Sequence, residues 1–440
     1  MPDMTIDIQG FDQSLWSATA ITPVEFPSLQ GEHRTDVAIV GGGFTGLSTA
    51  LHLAERGISV TVLEAKTPGF GASGRNGGQV IAGFKHNEVP TGPGIDGDLA
   101  ARMDRFGDGT AQFTFDLIAR LGIDCGAKQG GWAQGAHGDV ALQAIERKAA
   151  VLGKRGVSLE ILSAAETERR LGTNWYPGSL WDPRGGTLQP LSYARGLAAA
   201  ASHAGASIFT ESPVTAVARD GKGWKLTTAS GASVTAEKAL FCTNGYSDRF
   251  NPIPSLSKTV IPFFSYQIAT APLSDNILKT LLADGVGVSE FRRLLAYFRV
   301  DSEGRFIMGA RGASDGSMED PSFDFARARI KQLFPALADQ KMEYFWNGKV
   351  AITMDYLPRL IEQEYGLYAA VGWNGRGVAV TTASGPVLAD WMTGTAPKDL
   401  PLPVTPPRPI GFHGFKRKVS SVVALWYDHL DKKERTPSAA

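Results

Sequence analysis

Residues 35–64 constrain the fold most, because they combine a strand, a glycine-rich turn, a helix and a second strand in one short stretch. The run 36–40 is mostly apolar and leads into glycines, which is typical of a buried parallel strand. Residues 45–56 show the apolar spacing of a helix, Gly57 follows as its C-terminal stop, and 58–63 form a second apolar strand. This order predicts a βαβ unit and, with it, an α/β fold.

The turn 41–46 matches the pattern G-x-G-x-x-G of dinucleotide-binding proteins. Gly41 permits the tight turn, Gly43 lets the backbone approach a pyrophosphate, and Gly46 lets helix and strand pack closely, while the helix N-terminus attracts phosphate. Glu64 lies 18 residues after Gly46, and its carboxylate would accept hydrogen bonds from ribose hydroxyls rather than tolerate a 2′-phosphate. A glycine-rich turn without nucleotide is the alternative. The residues predicted to hold this end of the dinucleotide are Gly41, Gly43, Phe44, Thr45, Gly46, Glu64, Ala65 and Lys66.

A second glycine-rich loop, residues 69–79, begins soon after the second strand ends. Simple nicotinamide dehydrogenases continue here into another helix, whereas a loop of this composition suits backbone contact with a large flat ring and its pyrophosphate. The loop therefore favours a flavin, and a mobile surface loop is the alternative. Its predicted cofactor-binding residues are Ser73, Gly74, Arg75, Asn76, Gly77, Gly78 and Gln79.

Composition excludes several other classes of protein. Lys plus Arg equals Asp plus Glu at 44 each among 440 residues, so no basic field attracts nucleic acid or an anionic membrane. Two cysteines and seven scattered histidines predict neither a disulfide framework nor a metal site. No apolar run approaches the roughly 18 residues that span a bilayer, and the first ten residues do not resemble a signal peptide, so we expect a cytoplasmic protein.

The order of these motifs resembles the glutathione-reductase-like flavoproteins of the D-amino-acid oxidase (DAO) superfamily. Within it, the sequence is most similar to the γ-glutamylputrescine oxidoreductases, which carry G-G-G-[YF]-T-G-L-S, A-L-H-L-A, V-L-E-A and G-F-G-A-S-G-R-N-G-G-Q. The matching residues here are 41–48, 50–54, 62–65 and 69–79, and weaker matches follow at 185–190, 345–348 and 372–378.

The resemblance implies a mixed α/β fold with a Rossmann-like FAD-binding domain of glutathione-reductase type and a second, substrate domain built on a mainly antiparallel sheet. The implied division is a lead-in at 1–34, a discontinuous FAD-binding domain at 35–85, 155–250 and 350–395, a substrate domain at 86–154 and 251–349, and a Pro-rich linker with a C-terminal amphipathic helix at 396–440.

The resemblance also assigns further FAD contacts. Val214 is expected to meet the adenine through its backbone, residues 243–245 (Thr243, Asn244 and Gly245) to lie near the pyrophosphate, and 73–78 to lie along the isoalloxazine. The glycine-rich loops at 69–79 and 372–378, which are expected to contact the flavin, contain no Cys or His, so we expect the FAD to be held without a covalent bond.

A third glycine-rich loop lies between the apolar strand 367–371 and a predicted helix over 378–392. The N-terminus of that helix could point at the flavin N1–C2=O edge and stabilise the negative charge that gathers there on reduction. Arg376 could add positive charge at this edge or could point to solvent. The predicted cofactor-binding residues of this loop are Gly372, Asn374, Gly375, Arg376, Gly377 and Val378.

No second dinucleotide fingerprint appears, so the hydride should come from the organic substrate. We expect an unprotonated amine to transfer hydride to flavin N5, followed by hydrolysis of the imine, with γ-glutamylputrescine or a related polyamine derivative as substrate. The alternatives are an oxidase or dehydrogenase of a secondary or cyclic amino acid such as sarcosine or pipecolate, or a non-catalytic electron-carrying flavoprotein. Dioxygen or an electron carrier would reoxidise the flavin, and the oligomeric state stays open.

Substrate-binding residues are predicted from residue type and position. Arg75 could grip a carboxylate, and Tyr266, Trp346 and Trp373 could line an amine pocket. Lys85 and His86 could place positive charge beside the flavin. Further arginine candidates are Arg292, Arg293, Arg299 and Arg311, and further aromatic candidates are Phe264, Tyr297 and Phe298.

An apolar stripe near the C-terminus is spaced as on one face of a helix. It could dock on the protein's own body, form a dimer contact, or attach to a membrane surface through the basic residues 416–418. Its members are Phe415, Val419, Val422, Val423, Trp426 and Leu430.

Overall fold

The computed structural model describes residues 10–85, 95–247, 253, 255–282, 285–413, 426–427, 429–431 and 433–434. The helices in these ranges are α1 (Leu15–Thr19), α2 (Phe44–Ala54), α3 (Gly97–Leu121), α4 (Asp139–Gly153), α5 (Ala164–Leu171), α6 (Pro190–His203), α7 (Asp275–Leu278), α8 (Asp324–Leu333) and α9 (Ala379–Met392). The strands are β1 (Glu32–Val40), β2 (Val60–Leu63), β3 (Gln79–Val80), β4 (Trp132–Ala136), β5 (Glu160–Ser163), β6 (Gly178–Asp182), β7 (Gly186–Thr187), β8 (Ser207–Phe209), β9 (Val214–Asp220), β10 (Gly223–Thr228), β11 (Ser233–Phe241), β12 (Ile261–Thr270), β13 (Gly287–Phe291), β14 (Tyr297–Val300), β15 (Phe306–Arg311), β16 (Met342–Ile352), β17 (Arg359–Glu364), β18 (Leu367–Val371) and β19 (Val404–Thr405).

The first sheet is built on the predicted βαβ unit, which is confirmed as β1, α2 and β2. Its strand order is β19-β17-β18-β11-β1-β2-β8, and β9 and β10 extend it from β11 as an antiparallel pair. Strand β1 pairs in parallel with β2 and β11, so the carboxyl ends of all three strands meet at one edge of the sheet. In such sheets ligands bind beyond that edge.

Strand β1 begins at Glu32, inside the predicted lead-in of residues 1–34. Its first residues are polar and exposed, but they pair with β11 from Ser233 onward. This main-chain pairing carries no apolar signal, which is why the hydrophobic pattern alone starts the strand later.

Helices α2 and α9 pack against each other beneath the first sheet. Helix α2 is buried over most of its length, and the hydroxyl of Ser48 donates a hydrogen bond to the Thr382 carbonyl at 2.8 Å. The close approach needs Gly385, because a Cβ atom there would overlap Ser48. The packing fixes the positions of the two N-termini, one after the first glycine turn and one after the third.

The second sheet has the strand order β16-β12-β15-β14-β13-β4-β6-β5. Every neighbouring pair is antiparallel except β13 with β4, which confirms the mainly antiparallel sheet. Strands β5 and β6 belong to it, whereas the division predicted at residue 155 assigns them to the first domain. The reason is the pairing of β6 with β4: a short apolar strand looks the same in either sheet.

The Pro-rich segment after α9 is predicted to be a linker, but it also contains a strand: β19 pairs in parallel with β17 at the edge of the first sheet. The described residues from 426 to 434 are helical. Of the predicted apolar stripe, Trp426 is exposed and Leu430 is half-buried. The members Phe415, Val419, Val422 and Val423, and the basic residues 416–418, lie outside the described residues.

Candidate active site

A cavity of about 1460 Å³ lies between the two sheets and is lined by both. Its lining includes the first glycine turn and Glu64, the second and third glycine-rich loops, and Tyr427 near the C-terminus. Ordinary small-molecule pockets measure roughly 300–1,000 Å³. The cavity is therefore large enough for an extended coenzyme and a second molecule beside it.

The first glycine turn has the shape that close backbone approach requires. Gly41 has φ +111, a conformation that side chains rarely allow. A Cβ atom on Gly43 would lie 2.8 Å from the Ser73 hydroxyl, and one on Gly46 would overlap the carbonyl oxygen of Gly41. Helix α2 begins directly at Phe44, so its first N–H groups and positive dipole end face the cavity.

Glu64 ends β2 with its carboxylate held beside this turn. The amide of Gly42 donates to Oε2 at 2.6 Å, and the amide of Lys66 donates to Oε1 at 2.9 Å. Burial raises the pKa of Glu64, and these main-chain hydrogen bonds act in the opposite direction. The carboxylate lines the cavity and can accept further hydrogen bonds from ligand hydroxyl groups.

The second glycine-rich loop is tied to both sides of the cavity. The Ser73 hydroxyl accepts a hydrogen bond from the Phe44 amide at 3.0 Å, and the Asn76 side chain accepts one from the Gly78 amide at 2.8 Å. A Cβ atom on Gly77 would lie 2.5 Å from the Tyr297 ring of the second sheet. These contacts do not fit the alternative of a mobile surface loop.

The third loop turns through two glycines with positive φ, Gly372 and Gly375. The carboxamide oxygen of Asn374 accepts from the Thr353 amide at 2.8 Å and so fastens the loop to the end of β16. Helix α9 then begins at Ala379 with no side-chain cap, which leaves its first N–H groups free for a ligand.

Arg376 is buried against the second sheet, so the alternative that it points to solvent is wrong. Its guanidinium carbon lies 5.0 Å from the centre of the Trp132 ring. Burial lowers the pKa of Arg376 to about 10, and Nη1 has no hydrogen-bond partner within the described residues. The third loop therefore adds positive charge to the cavity.

A family model described as FAD dependent oxidoreductase (DAO) matches residues 36–391, which is most of the chain. The chain belongs to the DAO family. It is 32% identical over 395 residues to gamma-glutamylputrescine oxidoreductase of Escherichia coli, covering 87% of this chain and 89% of the relative. It is 31% identical over 376 residues to probable oxidoreductase OrdL of Haemophilus influenzae, covering 84% and 85%.

Among solved structures, glycine oxidase from Geobacillus kaustophilus superposes with a TM-score of 0.72. The match covers 83% of this chain and 96% of that chain at 23% sequence identity. At this identity the similarity shows the fold alone, which is the DAO-type mixed α/β fold.

The residues of this DAO-family protein fit FAD. The N-termini of α2 and α9 both lie at the cavity, Glu64 lies beside the first glycine turn, and Cβ atoms at Gly43 and Gly46 would come too close to Ser73 and Gly41. Most of the predicted cofactor-binding residues line the cavity, and these are Gly41, Gly43, Phe44, Thr45, Glu64, Ala65, Ser73, Arg75, Asn76, Gly77, Gln79, Val214, Thr243, Asn244, Asn374, Gly375, Arg376, Gly377 and Val378. The others lie outside the lining, and these are Gly46, Lys66, Gly74, Gly78, Gly245 and Gly372.

Two of those six have clear structural roles. Gly46 permits the contact of α2 with the turn, and Lys66 faces Glu211 at 3.6 Å near the surface. Direct contact of any of the six with FAD stays a prediction.

Of the four substrate candidates, Arg75 and Trp373 line the cavity, whereas Tyr266 and Trp346 do not. The Tyr266 hydroxyl donates to the Ser317 carbonyl at 2.8 Å inside the second sheet's core. Trp346 is fully buried, and its Nε1 donates to the Arg75 carbonyl at 3.0 Å. The structure thus gives these two side chains supporting positions, because each faces away from the space a substrate could enter.

Arg75 is fully buried, and its guanidinium is held by the protein. Its Nε donates to the Phe70 carbonyl at 2.8 Å and its Nη1 to the Asn347 carbonyl at 3.4 Å. The rings of Phe11 and Phe70 lie 5.0 and 4.9 Å from its guanidinium carbon. These contacts fasten the second glycine-rich loop to β16, and they leave little of the group for a substrate carboxylate.

Several lining residues were not singled out by the sequence. Gln267 and Ser265 lie two residues apart on β12 and therefore share one face of the strand, and this spacing is the signal that could have identified them. The hydroxyl oxygen of Ser265 lies 3.0 Å from that of Tyr297, one of the aromatic candidates, and the two share a hydrogen bond. His137 and Phe291 reach the cavity from the ends of β4 and β13, and no local pattern marks them.

Lys85 lines the cavity with its Nζ 4.9 Å from the centre of the Tyr356 ring. Burial, helped by the nearby charge of Arg376, lowers the pKa of Lys85 to about 8. The group can therefore carry or release a proton near neutral pH. The neighbouring candidate His86 lies outside the described residues.

The described residues of the C-terminal segment, 426–427, 429–431 and 433–434, dock on the second sheet, and Tyr427 and Glu434 line the cavity. The buried Asp431 carboxylate accepts from Arg292 Nε and Arg293 Nη1 at 3.0 Å each, and from the Leu294 amide at 3.1 Å. Glu434 pairs with Arg293 at 2.6 Å. Of the three interpretations of this region, docking on the protein's own body is the one these contacts support.

His137, Asp431 and Glu434 form a cluster whose ligand atoms lie within 4.8 Å of one another. Both carboxylates are already neutralised by the guanidinium groups of Arg292 and Arg293, which would repel a metal ion. The absence of a metal site therefore stays a prediction, and the cluster gives no reason to change it.

Sulfur chemistry and membrane spanning have little support in the described part of the chain. Burial raises the pKa of Cys125 to about 12 and raises that of Cys242 further, so neither thiol is a ready nucleophile. None of the described helices combines the length and the apolar character needed to cross a bilayer.

Proposed function

We propose that this protein oxidises the amine end of γ-glutamylputrescine or a related polyamine derivative, in the cytoplasm, with non-covalent FAD. The bound FAD supplies a two-electron acceptor. The amine carbon loses a hydride and the nitrogen a proton, which gives an imine, and water converts the imine to an aldehyde and ammonia. Dioxygen or an electron carrier takes the electrons afterwards.

The observation that carries the proposal is the size of the cavity, about 1460 Å³, together with the residues that line it outside the glycine-rich loops. These residues include Phe263 on β12, Val350 on β16, Tyr356 and Tyr427. An α-amino acid would fill a fraction of this space, whereas an extended amine would use it. The similarity to a gamma-glutamylputrescine oxidoreductase supports the same class.

The lining explains how the chain would favour the reactive, neutral form of an amine. The aromatic side chains of Tyr246, Tyr297 and Trp373 exclude water from the region beside the glycine-rich loops. The positive charges of Arg376 and Lys85 disfavour a second cation nearby, so a bound amine loses its proton more readily. The chain then needs to orient the amine rather than supply a strong base.

Oxidation of a secondary or cyclic amino acid is the second candidate, because a glycine oxidase shares this fold. Anaerobic mixing of the yellow holoenzyme with γ-glutamylputrescine, putrescine, sarcosine, glycine and pipecolate separates the two. We expect γ-glutamylputrescine to bleach the flavin absorbance fastest. Bleaching by the amino acids alone would contradict the proposal, and bleaching by none of these compounds would favour an electron-carrying flavoprotein.

Acid precipitation tests the state of the coenzyme. We expect the yellow colour to stay in the supernatant, because neither glycine-rich loop holds a cysteine or histidine that could form a covalent bond. Colour retained in the pellet would contradict non-covalent binding.

A further inference from the structure

Arg311, the last residue of β15, lines the cavity and is half-buried. Within the described part of the chain its guanidinium makes no hydrogen bond or ion pair. We propose that Arg311 binds a carboxylate of the substrate at a distance from the reacting amine, and so selects an acid-bearing amine over a simple diamine. This inference rests on the proposed function and names the residue that sets its substrate class.

The other arginines of the cavity have partners within the protein. Arg292 and Arg293 are neutralised by Asp431 and Glu434. Arg75 donates to two main-chain carbonyl groups. A substrate carboxylate would have to displace these contacts to bind there, whereas the described residues make no such contact with the Arg311 guanidinium.

Two further cations and the acids of the cavity do not compete with Arg311. Arg376 and Lys85 lie against the rings of Trp132 and Tyr356. The lining acids have other partners: Glu290 is paired with Arg329, Glu434 with Arg293, and Glu64 is held by main-chain amides. Among the described residues no acidic group therefore neutralises Arg311, and a planar guanidinium is suited to hold a carboxylate by two parallel hydrogen bonds.

The strand register shows where Arg311 lies relative to the second glycine-rich loop. Gly309 pairs with Gln267 on one side and Tyr297 on the other, and the Tyr297 ring covers Gly309 and reaches Gly77. This row of residues therefore faces the loop. Residues 309 and 311 share one face of β15, because side chains alternate along a strand.

Arg311 belongs to the next row, in which it pairs with Ser265. The two rows are roughly 7 Å apart along the strand, at about 3.4 Å for each residue. In an α-amino acid the carboxylate is bonded directly to the reacting carbon, which places it in the row that faces the loop. The spacing instead suits a carboxylate separated from the reacting carbon by several bonds.

The lining of the cavity agrees with this placement. It includes Gly312 and Ser314, which follow Arg311, and Phe263 and Val350, which pair with each other on β12 and β16 two residues along from Ser265. A long substrate with its amine at the second glycine-rich loop would pass Arg311 with its distal end. The apolar neighbours would cover the chain between the two groups.

The test uses the holoenzyme and three amines that share the putrescine end. N-acetylputrescine has no carboxylate, N-glutarylputrescine has one, and γ-glutamylputrescine has a carboxylate beside an ammonium group. The variants are Arg311→Gln and Arg311→Met, and Arg34→Gln serves as matched control because Arg34 is exposed on β1 away from the cavity. Binding of N-butylglutamine, which keeps the acid and lacks the reacting amine, is measured by calorimetry.

We expect wild type to prefer N-glutarylputrescine over N-acetylputrescine in kcat/KM. We expect both Arg311 variants to lose roughly tenfold to a hundredfold of that preference, mainly through KM, and to weaken N-butylglutamine binding by a similar factor. The Arg34 variant should keep the wild-type values. Bound FAD and its absorbance spectrum report whether each variant is folded.

Three outcomes would overturn the inference. The first is an equal loss for acid-bearing and neutral amines in both variants, which would indicate a structural role. The second is unchanged kinetics for all three amines. The third is unchanged binding of N-butylglutamine. If no amine is oxidised by wild type, the proposed function fails, and the binding measurement alone still decides the role of Arg311.

Discussion

The amide of Gly42 donates a hydrogen bond to the Glu64 carboxylate at 2.6 Å and joins the first glycine turn to the end of β2. Because β1 and β2 are parallel neighbours, this contact places an acid beside the helix N-terminus that faces the cavity. The carboxylate is oriented before any ligand arrives, since a second amide, that of Lys66, holds its other oxygen.

Replacing Glu64 by glutamine should weaken FAD binding. The amide keeps the size of the side chain but loses the charge and one acceptor, so we expect the dissociation constant to rise by roughly tenfold or more. Fluorescence quenching during reconstitution of the apoprotein measures it. Glu211→Gln is the matched control, because Glu211 is exposed at 58% of its side chain and faces Lys66 only across 3.6 Å. Equal constants for the two variants would contradict the role given to Glu64.

Gly46→Ala should destabilise the protein, although alanine favours helices. A Cβ atom on Gly46 would overlap the Gly41 carbonyl, and we expect the free energy of unfolding to fall by about 1–3 kcal/mol. Gly109→Ala, in the exposed face of α3 with open space around it, should raise the same quantity by about 0.5–1 kcal/mol. Urea unfolding of both variants checks the opposite signs. A stabilised Gly46 variant would show that the turn can move.

Asp431→Asn should release the C-terminal segment from the second sheet. Arg292 and Arg293 would lose a buried carboxylate, and Tyr427 and Glu434 would no longer be held in the lining of the cavity. We expect faster amide hydrogen exchange in residues 426–434 and a higher KM. Asp390→Asn, which breaks a half-exposed pair with Arg56, should change neither. Unchanged exchange in the Asp431 variant would mean that other contacts hold the segment.

Lowering the pH should also weaken the contact of Asp431 with Arg292 and Arg293. Burial raises the pKa of Asp431, but hydrogen bonds from the Leu294 amide and the Arg292 guanidinium outweigh burial and lower this pKa below its ordinary 3.8. The folded-state pKa is lower than the unfolded one, so this stabilisation is complete above pH 3.8 and is lost as the pH falls further. Hydrogen exchange in the segment should therefore increase below that pH before the first sheet unfolds.

Lys85→Met should remove one source of pH dependence in stability. Burial and the nearby charge of Arg376 lower the pKa of Lys85 from 10.5 to about 8, so the unfolded chain binds more protons than the folded protein between these values. Stability therefore rises with pH across that range, by at most about 3 kcal/mol for this group.

Urea unfolding at pH 7.5 and pH 10 measures this effect as the difference between wild type and variant. We expect the variant to be more stable than wild type at pH 7.5 and to lose most of that advantage at pH 10. Lys222→Met, at an exposed position, should follow wild type. A constant difference at both pH values would contradict the lowered pKa.

The nucleotide-binding half could be predicted from the sequence because its signals are local. Strand β1, the turn at 41–46 and helix α2 follow one another along the chain, and the turn needs glycine for reasons of backbone shape. Such requirements appear directly as residue types at fixed spacing. The substrate candidates Tyr266 and Trp346 failed to reach the cavity because an aromatic residue in a strand gives no sign of which face it occupies.

The sequence by itself determined the βαβ unit, the FAD-dependent family and the glycine-rich loops that line the cavity, since each depends on neighbouring residues and backbone geometry. Only the tertiary structure decided which cations remain available to a substrate. Asp431 reaches Arg292 and Arg293 from more than a hundred residues away, whereas no described residue pairs with Arg311 in this way. Whether a charge is neutralised depends on distances across the fold, and these distances arise only when the two sheets and the C-terminal segment have packed together.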